Sequence, residues 1–116
     1  MIKFSNEYGA YALELNDMTI CWDDEPDDSA EQMAESVREA YHRNIRIIAE
    51  AVYNEIKDMF DVQDVDEVIA KLGKPVINPD NGEVTYTESS FDDIHVISFE
   101  YLDDEFNEIQ YVSVDG

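Results

Sequence analysis

Apolar and polar positions change period twice along this chain, and the changes divide it into strands, then helices, then strands again. Tyr11, Leu13 and Leu15 alternate with Ala12, Glu14 and Asn16, the period of a half-buried strand. Asn16-Asp17 supplies a turn, and Thr19 to Trp22 returns as the second arm of a hairpin. From Ser29 the period lengthens. Ser29 and Gln32 match a capping box, and Met33, Val37, Tyr41, Ile45, Ile48, Val52, Ile56 and Met59 recur three and four apart. That stripe predicts one helix to about Phe60, about 48 Å long if straight, whereas a domain of this length has a radius of gyration of about 13 Å. The helix must then overhang the sheet, bend near Arg43-Asn44, or pack against a second copy in a homodimer.

A short helix follows, with Asp64 and Glu67 as a cap pair, Val65, Val68, Ile69 and Leu72 as its stripe, Lys71 in its last turn, and Gly73 and Pro75 as its stop. Asn78-Pro79-Asp80-Asn81-Gly82 is a turn signal. Val84 to Tyr86, Ile94 to Tyr101 and Ile109 to Val114 predict three strands, with Leu102 to Glu108 as the loop joining the last two. The predicted class is a single α+β domain over residues 1–116. Its parts are an N-terminal hairpin, one long and one short helix, and a three-stranded antiparallel meander, with the helices on one sheet face.

Composition changes this picture little, because 116 residues with 44% hydrophobic content suffice for a core without metal or disulfide staples. The single cysteine, Cys21, has no internal partner, which fits a reducing compartment. No apolar run approaches a membrane span and no leader pattern opens the chain, so the expected location is the cytoplasm.

Candidate chemistry is sparse. Glu39-Ala40-Tyr41-His42 matches half of a di-metal carboxylate pattern that must occur twice, so a surface ion pair is the expected role. His95 reads as a satisfied or half-exposed strand residue. Cys21, between Ile20 and Trp22, reads as a small buried hydrophobe with no cation beside it to activate the thiol. The turn at 78–82 lacks the glycine and glutamate of a calcium loop. Carboxylate pairs such as Asp92-Asp93 and Asp103-Asp104 recur by chance in so acidic a chain. The expectation is a non-enzyme with no cofactor and no metal, the alternative being a small enzyme with an unrecognised site, which would need a concave pocket with converging polar groups.

Charge changes the picture most. Twenty-nine Asp and Glu stand against seven Lys and Arg, a net charge of −22. That sign excludes duplex nucleic acid and anionic membranes as direct partners. Arg38, Arg43, Arg46 and Lys57 fall on the long helix, where Glu39–Arg43, Arg46–Glu50 and Glu35–Arg38 can pair. Two clusters are left uncompensated. One is Asp23, Asp24, Glu25, Asp27 and Asp28 with Glu31 and Glu35, and the other is Asp103, Asp104 and Glu105 with Glu108. Aromatics that could anchor a contact stand beside them: Trp22, Tyr101 and Phe106. Solubility needs a net charge of only about 2–8, so the surplus points to docking on a basic protein, with adaptation to a high-salt habitat as the competing account. Surface scaling gives about one charge per 300 Å² over about 6,500 Å². DNA carries about one per 110 Å², so a DNA-mimic decoy would need its acids gathered on one face.

In size, charge and element order, and in the stretches Trp22-Asp23-Asp24 and Phe99-Glu100-Tyr101-Leu102-Asp103-Asp104, the chain resembles the immunity proteins of bacterial toxin systems, particularly those that neutralise nuclease toxins. The resemblance implies a cytoplasmic, non-enzymatic protein that binds a cognate toxin and blocks its active site or an adjacent surface. It carries no individual site residue across.

Overall fold

The strands from both ends of the chain join in one sheet. The computed structural model describes residues 2–87, 89–91, 95–103 and 106–115. Its elements are β1 (Lys3–Ser5), β2 (Ala10–Glu14), β3 (Thr19–Trp22), α1 (Ala30–Arg43), α2 (Ile45–Ile56), α3 (Val65–Leu72), β4 (Val76–Asn78), β5 (Glu83–Tyr86), β6 (Val96–Tyr101) and β7 (Ile109–Asp115). The seven strands lie in the order β1-β2-β3-β4-β5-β6-β7. All neighbours are antiparallel except β3 and β4, which pair in parallel through Thr19↔Val76 and Ile20↔Ile77. The class is α+β, but the expected separate hairpin and three-stranded meander are overturned. The hairpin gains β1, the meander gains β4, and the helical segment is the crossover that lets the two halves meet as a mixed sheet.

The predicted long helix is two helices. Asn44, at φ −113° and ψ 22°, interrupts it. Asn is a weak helix former, and three β-branched isoleucines follow within four residues, so the break falls in a stretch of modest helix propensity. The break takes up the length that had left overhang or a second copy as alternatives, and the radius of gyration is 13.9 Å. α1 buries Ala30, Ala34, Val37, Ala40 and Tyr41, a largely alanine stripe that allows close approach, while Met33 and Met59 from the expected stripe are exposed. α2 contributes Ile48, Val52 and Ile56, and α3 contributes Val68 and Leu72. Facing them, successive rows of the sheet place Leu13, Ile20, Ile77, Val84, Phe99, Tyr86 and Ile97 in one core. Inside it the hydroxyls of Tyr41 and Tyr86 meet at 2.6 Å, satisfying two polar groups that burial would otherwise penalise.

Caps differ from expectation at one helix and agree at another. Ser29 makes no side-chain cap bond to α1; its hydroxyl instead donates to Asp27. At α3, Glu67 N–H donates to Asp64 at 2.9 Å, and Gln63 N–H donates to the Glu67 carboxylate at 2.7 Å.

The β2–β3 turn is fastened to α1. Arg38 Nε donates to Asp17 at 2.9 Å, and His42 Nε2 contacts the same carboxylate. Burial raises the Asp17 carboxyl pKa, but the bonds from His42 and Arg38 together outweigh it, leaving the group below its ordinary 3.8. The native state therefore binds fewer protons than the unfolded chain there, so the stabilisation is complete above about pH 5 and fades as pH falls through and below about 4. Asp17→Asn should cost about 1–2 kcal/mol at neutral pH. Urea melts should show that difference shrinking at pH 3; a difference independent of pH would contradict the assignment.

Candidate functional site

The described acids of both clusters predicted from sequence, Asp23 to Glu35 in the first and Asp103 with Glu108 in the second, lie at the same end of the sheet. β3 is parallel to β4, and β5 reverses the direction and β6 restores it, so β3, β4 and β6 all finish at that end. The loop after β3, the β4–β5 turn and the loop after β6 therefore project together, and α1 starts beside them. Three ladder spacings, about 14 Å, separate β3 from β6. Clusters some eighty residues apart in sequence thus share one rim.

Hydrogen bonds fix the rim. Asp23 N–H donates to Asp80 at 3.0 Å, Asn78 Nδ2 donates to the Asp23 carboxylate at 3.0 Å, and Asp80 N–H donates to Asn78 Oδ1 at 3.0 Å. These bonds tie the first acidic loop to the β4–β5 turn. Ser29 donates to Asp27 from its N–H at 2.9 Å and its hydroxyl at 2.6 Å, and those bonds hold the carboxyl pKa below its ordinary value. Asn107 N–H donates to the Asp103 carboxylate at 3.0 Å, closing the second loop. On the outer sheet face Glu83 and Glu100 are direct cross-strand partners, an arrangement of like charges that costs stability.

The cations lie elsewhere in the sequence. Residues 4–37 and 75–116 contain no Lys or Arg. Outside residues 38–74 the chain carries 21 of its 29 carboxylates and one of its seven cations, a net charge of −20 against −2 within 38–74. Among the described residues Arg46 pairs with Asp66 and Lys71 with Glu67, both within the helical segment. The expected Arg46–Glu50 contact gives way to that bridge to α3. Arg38 reaches Glu35 at 3.8 Å, so Glu35 is partly compensated, unlike the loop acids before it.

The predicted contact residues divide three ways. Asp23, Asp24, Glu25, Asp27, Asp28 and Glu31 are exposed on the rim. Trp22 (3% exposed) and Phe106 (0%) belong to the core, a correction to their expected role as anchors. Both lie beside acids in sequence, but one sits in a fully buried strand and the other folds under its loop. Tyr101 is half-buried, packed on Phe106 with ring centroids 4.2 Å apart, and it lines a cleft of about 130 Å³ with Met33, Val37 and Pro79. Asp104 and Glu105, and likewise Asp92-Asp93, lie outside the described residues.

The structure adds residues that the sequence reading missed. Phe4, Met33, Leu102 and Tyr111 are exposed, and Asp80, Glu83 and Glu100 extend the rim. Tyr111 is 72% exposed at φ 53°, on a bulge where the β6–β7 register shifts. A signal for it existed: Ile109 and Tyr111 share one alternation phase, whereas Val112 and Val114 share the other, and a phase break is what a bulge produces.

Cys21 is buried, and its thiol is pushed up to about 11, first by burial and then by Asp23 and Glu14, so it stays protonated. His95 packs edge-on against Phe60. Among the described residues no group of His, Cys, Asp and Glu could hold a metal ion, and no helix is long and apolar enough to cross a membrane. No known protein family, characterised protein or solved structure matches the chain.

Proposed function

We propose that this protein binds a strongly basic partner protein through the acidic end of its sheet and blocks that partner's activity, as an immunity protein does for a nuclease toxin. The observation that carries this reading is the segregation of charge: a net −20 outside residues 38–74 against −2 within them. Adaptation to high salt calls for acids spread over the whole surface, and it leaves this division without a reason. An anionic rim held by its own hydrogen bonds suits steering toward a cationic surface, where complementary fields raise association rates toward 10⁸–10⁹ M⁻¹s⁻¹ at low salt. The DNA-mimic alternative remains the weaker one. Sharing the 6843 Å² surface in proportion to residue number gives about one net charge per 230 Å² outside 38–74, still about half the density of duplex DNA.

The test is affinity capture at low salt from cells that produce the protein. One basic protein should be retained at 1:1 stoichiometry, with affinity falling steeply as salt rises, and its nucleic-acid cleavage should stop when this protein is added. Retention of nothing, or of many unrelated cationic proteins, refutes the reading. Competition by duplex DNA for several unrelated DNA-binding proteins would favour the decoy instead.

A further inference from the structure

At the β1 edge the inner face of the sheet is open to solvent. Phe4, 57% exposed, meets Tyr11 edge-on across the β1–β2 ladder with centroids 5.3 Å apart. Opposite them stand Glu25, Asp27, Asp28 and Glu31, and the groove between the two walls encloses about 340 Å³. One wall is aromatic and the other carries four carboxylates, of which Asp27 is fixed by its two bonds from Ser29. Lys3 sits one residue from Phe4 on the strand, so alternation turns it to the other face, away from the groove. Phe4 covers part of Tyr11, yet more than half of its own surface stays open to solvent beside those carboxylates.

We propose that this groove receives an arginine side chain carried by an extended segment of the basic partner, with the guanidinium lying against Phe4 and Tyr11 and its N–H groups directed at the carboxylate wall. The inference rests on the acidic-surface reading above and names the partner chemistry at one part of it. Arginine fits better than lysine for a physical reason. Its planar, weakly hydrated guanidinium stacks on an aromatic face while forking to carboxylates, whereas an ammonium holds its water and acts as a point charge.

The probes are two peptides of equal charge, (Gly-Arg)₄ and (Gly-Lys)₄, titrated at low salt into the full chain and read by calorimetry and by backbone amide shifts. The arginine peptide should bind about three- to fivefold more tightly, as an exposed cation–π contact provides, and should shift the amides of Phe4 and Tyr11. Phe4→Leu keeps apolar bulk but removes one of the two rings; it should cut the arginine preference to about twofold or less while leaving the lysine peptide nearly unchanged. Equal affinities in the unaltered protein, a preference undiminished by Phe4→Leu, or absence of shifts at Phe4 and Tyr11 overturns the arginine socket. The shift measurement stands even where Phe4→Leu fails to fold. Glu25→Gln with Glu31→Gln should weaken both peptides alike. If neither peptide binds, or if that double change has no effect, the acidic-surface reading fails along with the socket.

Discussion

Phe106→Ala is expected to lower unfolding free energy by about 3–5 kcal/mol, the usual range for truncating a fully buried phenylalanine. Phe106 lies in the loop after β6, where sequence suggested an exposed anchor, yet none of its surface is accessible. It packs against Tyr41 with centroids 5.8 Å apart and against Tyr101 at 4.2 Å, roofing the end of the core where Tyr41 meets Tyr86. Its backbone is left-handed, φ 60°, a conformation that costs a residue with a Cβ about 1–2 kcal/mol. Burial of the ring offsets that strain. A second substitution separates the two terms: Phe106→Gly loses the same ring but sheds the backbone strain, so it should be about 1 kcal/mol more stable than Phe106→Ala. At most positions glycine is the worse of the two, so the reversed order is diagnostic. Urea melts of the three proteins decide it, and an alanine variant at least as stable as the glycine one would contradict the geometry.

What the sequence made legible follows from how local each signal is. Alternation located β2, apolar runs between turns located β3, β5, β6 and β7, and the Asp64–Glu67 pair located α3, because those signals lie within a few residues. β4 was hidden because Val76-Ile77-Asn78 stands between Pro75 and Pro79, which read as a stop and a turn. Its strand character comes from pairing on both sides, with β5 across the turn and with β3 some 57 residues away. β1 has a single apolar residue in three, too short for any period. The acidic rim was half legible. Sequence proximity identified the acids, but not that β3 and β6 end together, since that depends on a parallel pairing no local pattern encodes. The aromatic anchors failed for a related reason: adjacency to an acid says nothing about which way a ring turns. Trp22 and Phe106 turned inward, while Phe4 and Tyr111, set in short or bulged edge strands, stayed outside.

That geometry makes the location of charge, rather than its amount, the quantity that matters for binding. Reversing Asp24, Glu25, Asp28 and Glu31 to Lys changes the net charge by eight at four exposed rim positions, and leaves untouched Asp23 and Asp27, which hold the loops together. Association with the basic partner at low salt should slow about 100-fold, from the steered regime toward the 10⁵–10⁶ M⁻¹s⁻¹ of unassisted docking. Stability should move the other way or stay level, because the reversal relieves repulsion among like charges and spares the side-chain hydrogen bonds of the rim among the described residues. The control reverses Glu39, Glu50, Glu55 and Asp58, equally exposed but on α1, on α2 and just beyond α2. It changes the net charge by the same eight within the segment that is nearly neutral. If the rim is the docking surface, the control should cost no more than a few-fold in association rate. Equal slowing by both sets would mean that the partner responds to total charge alone, and the case for a built acidic site would fall with it.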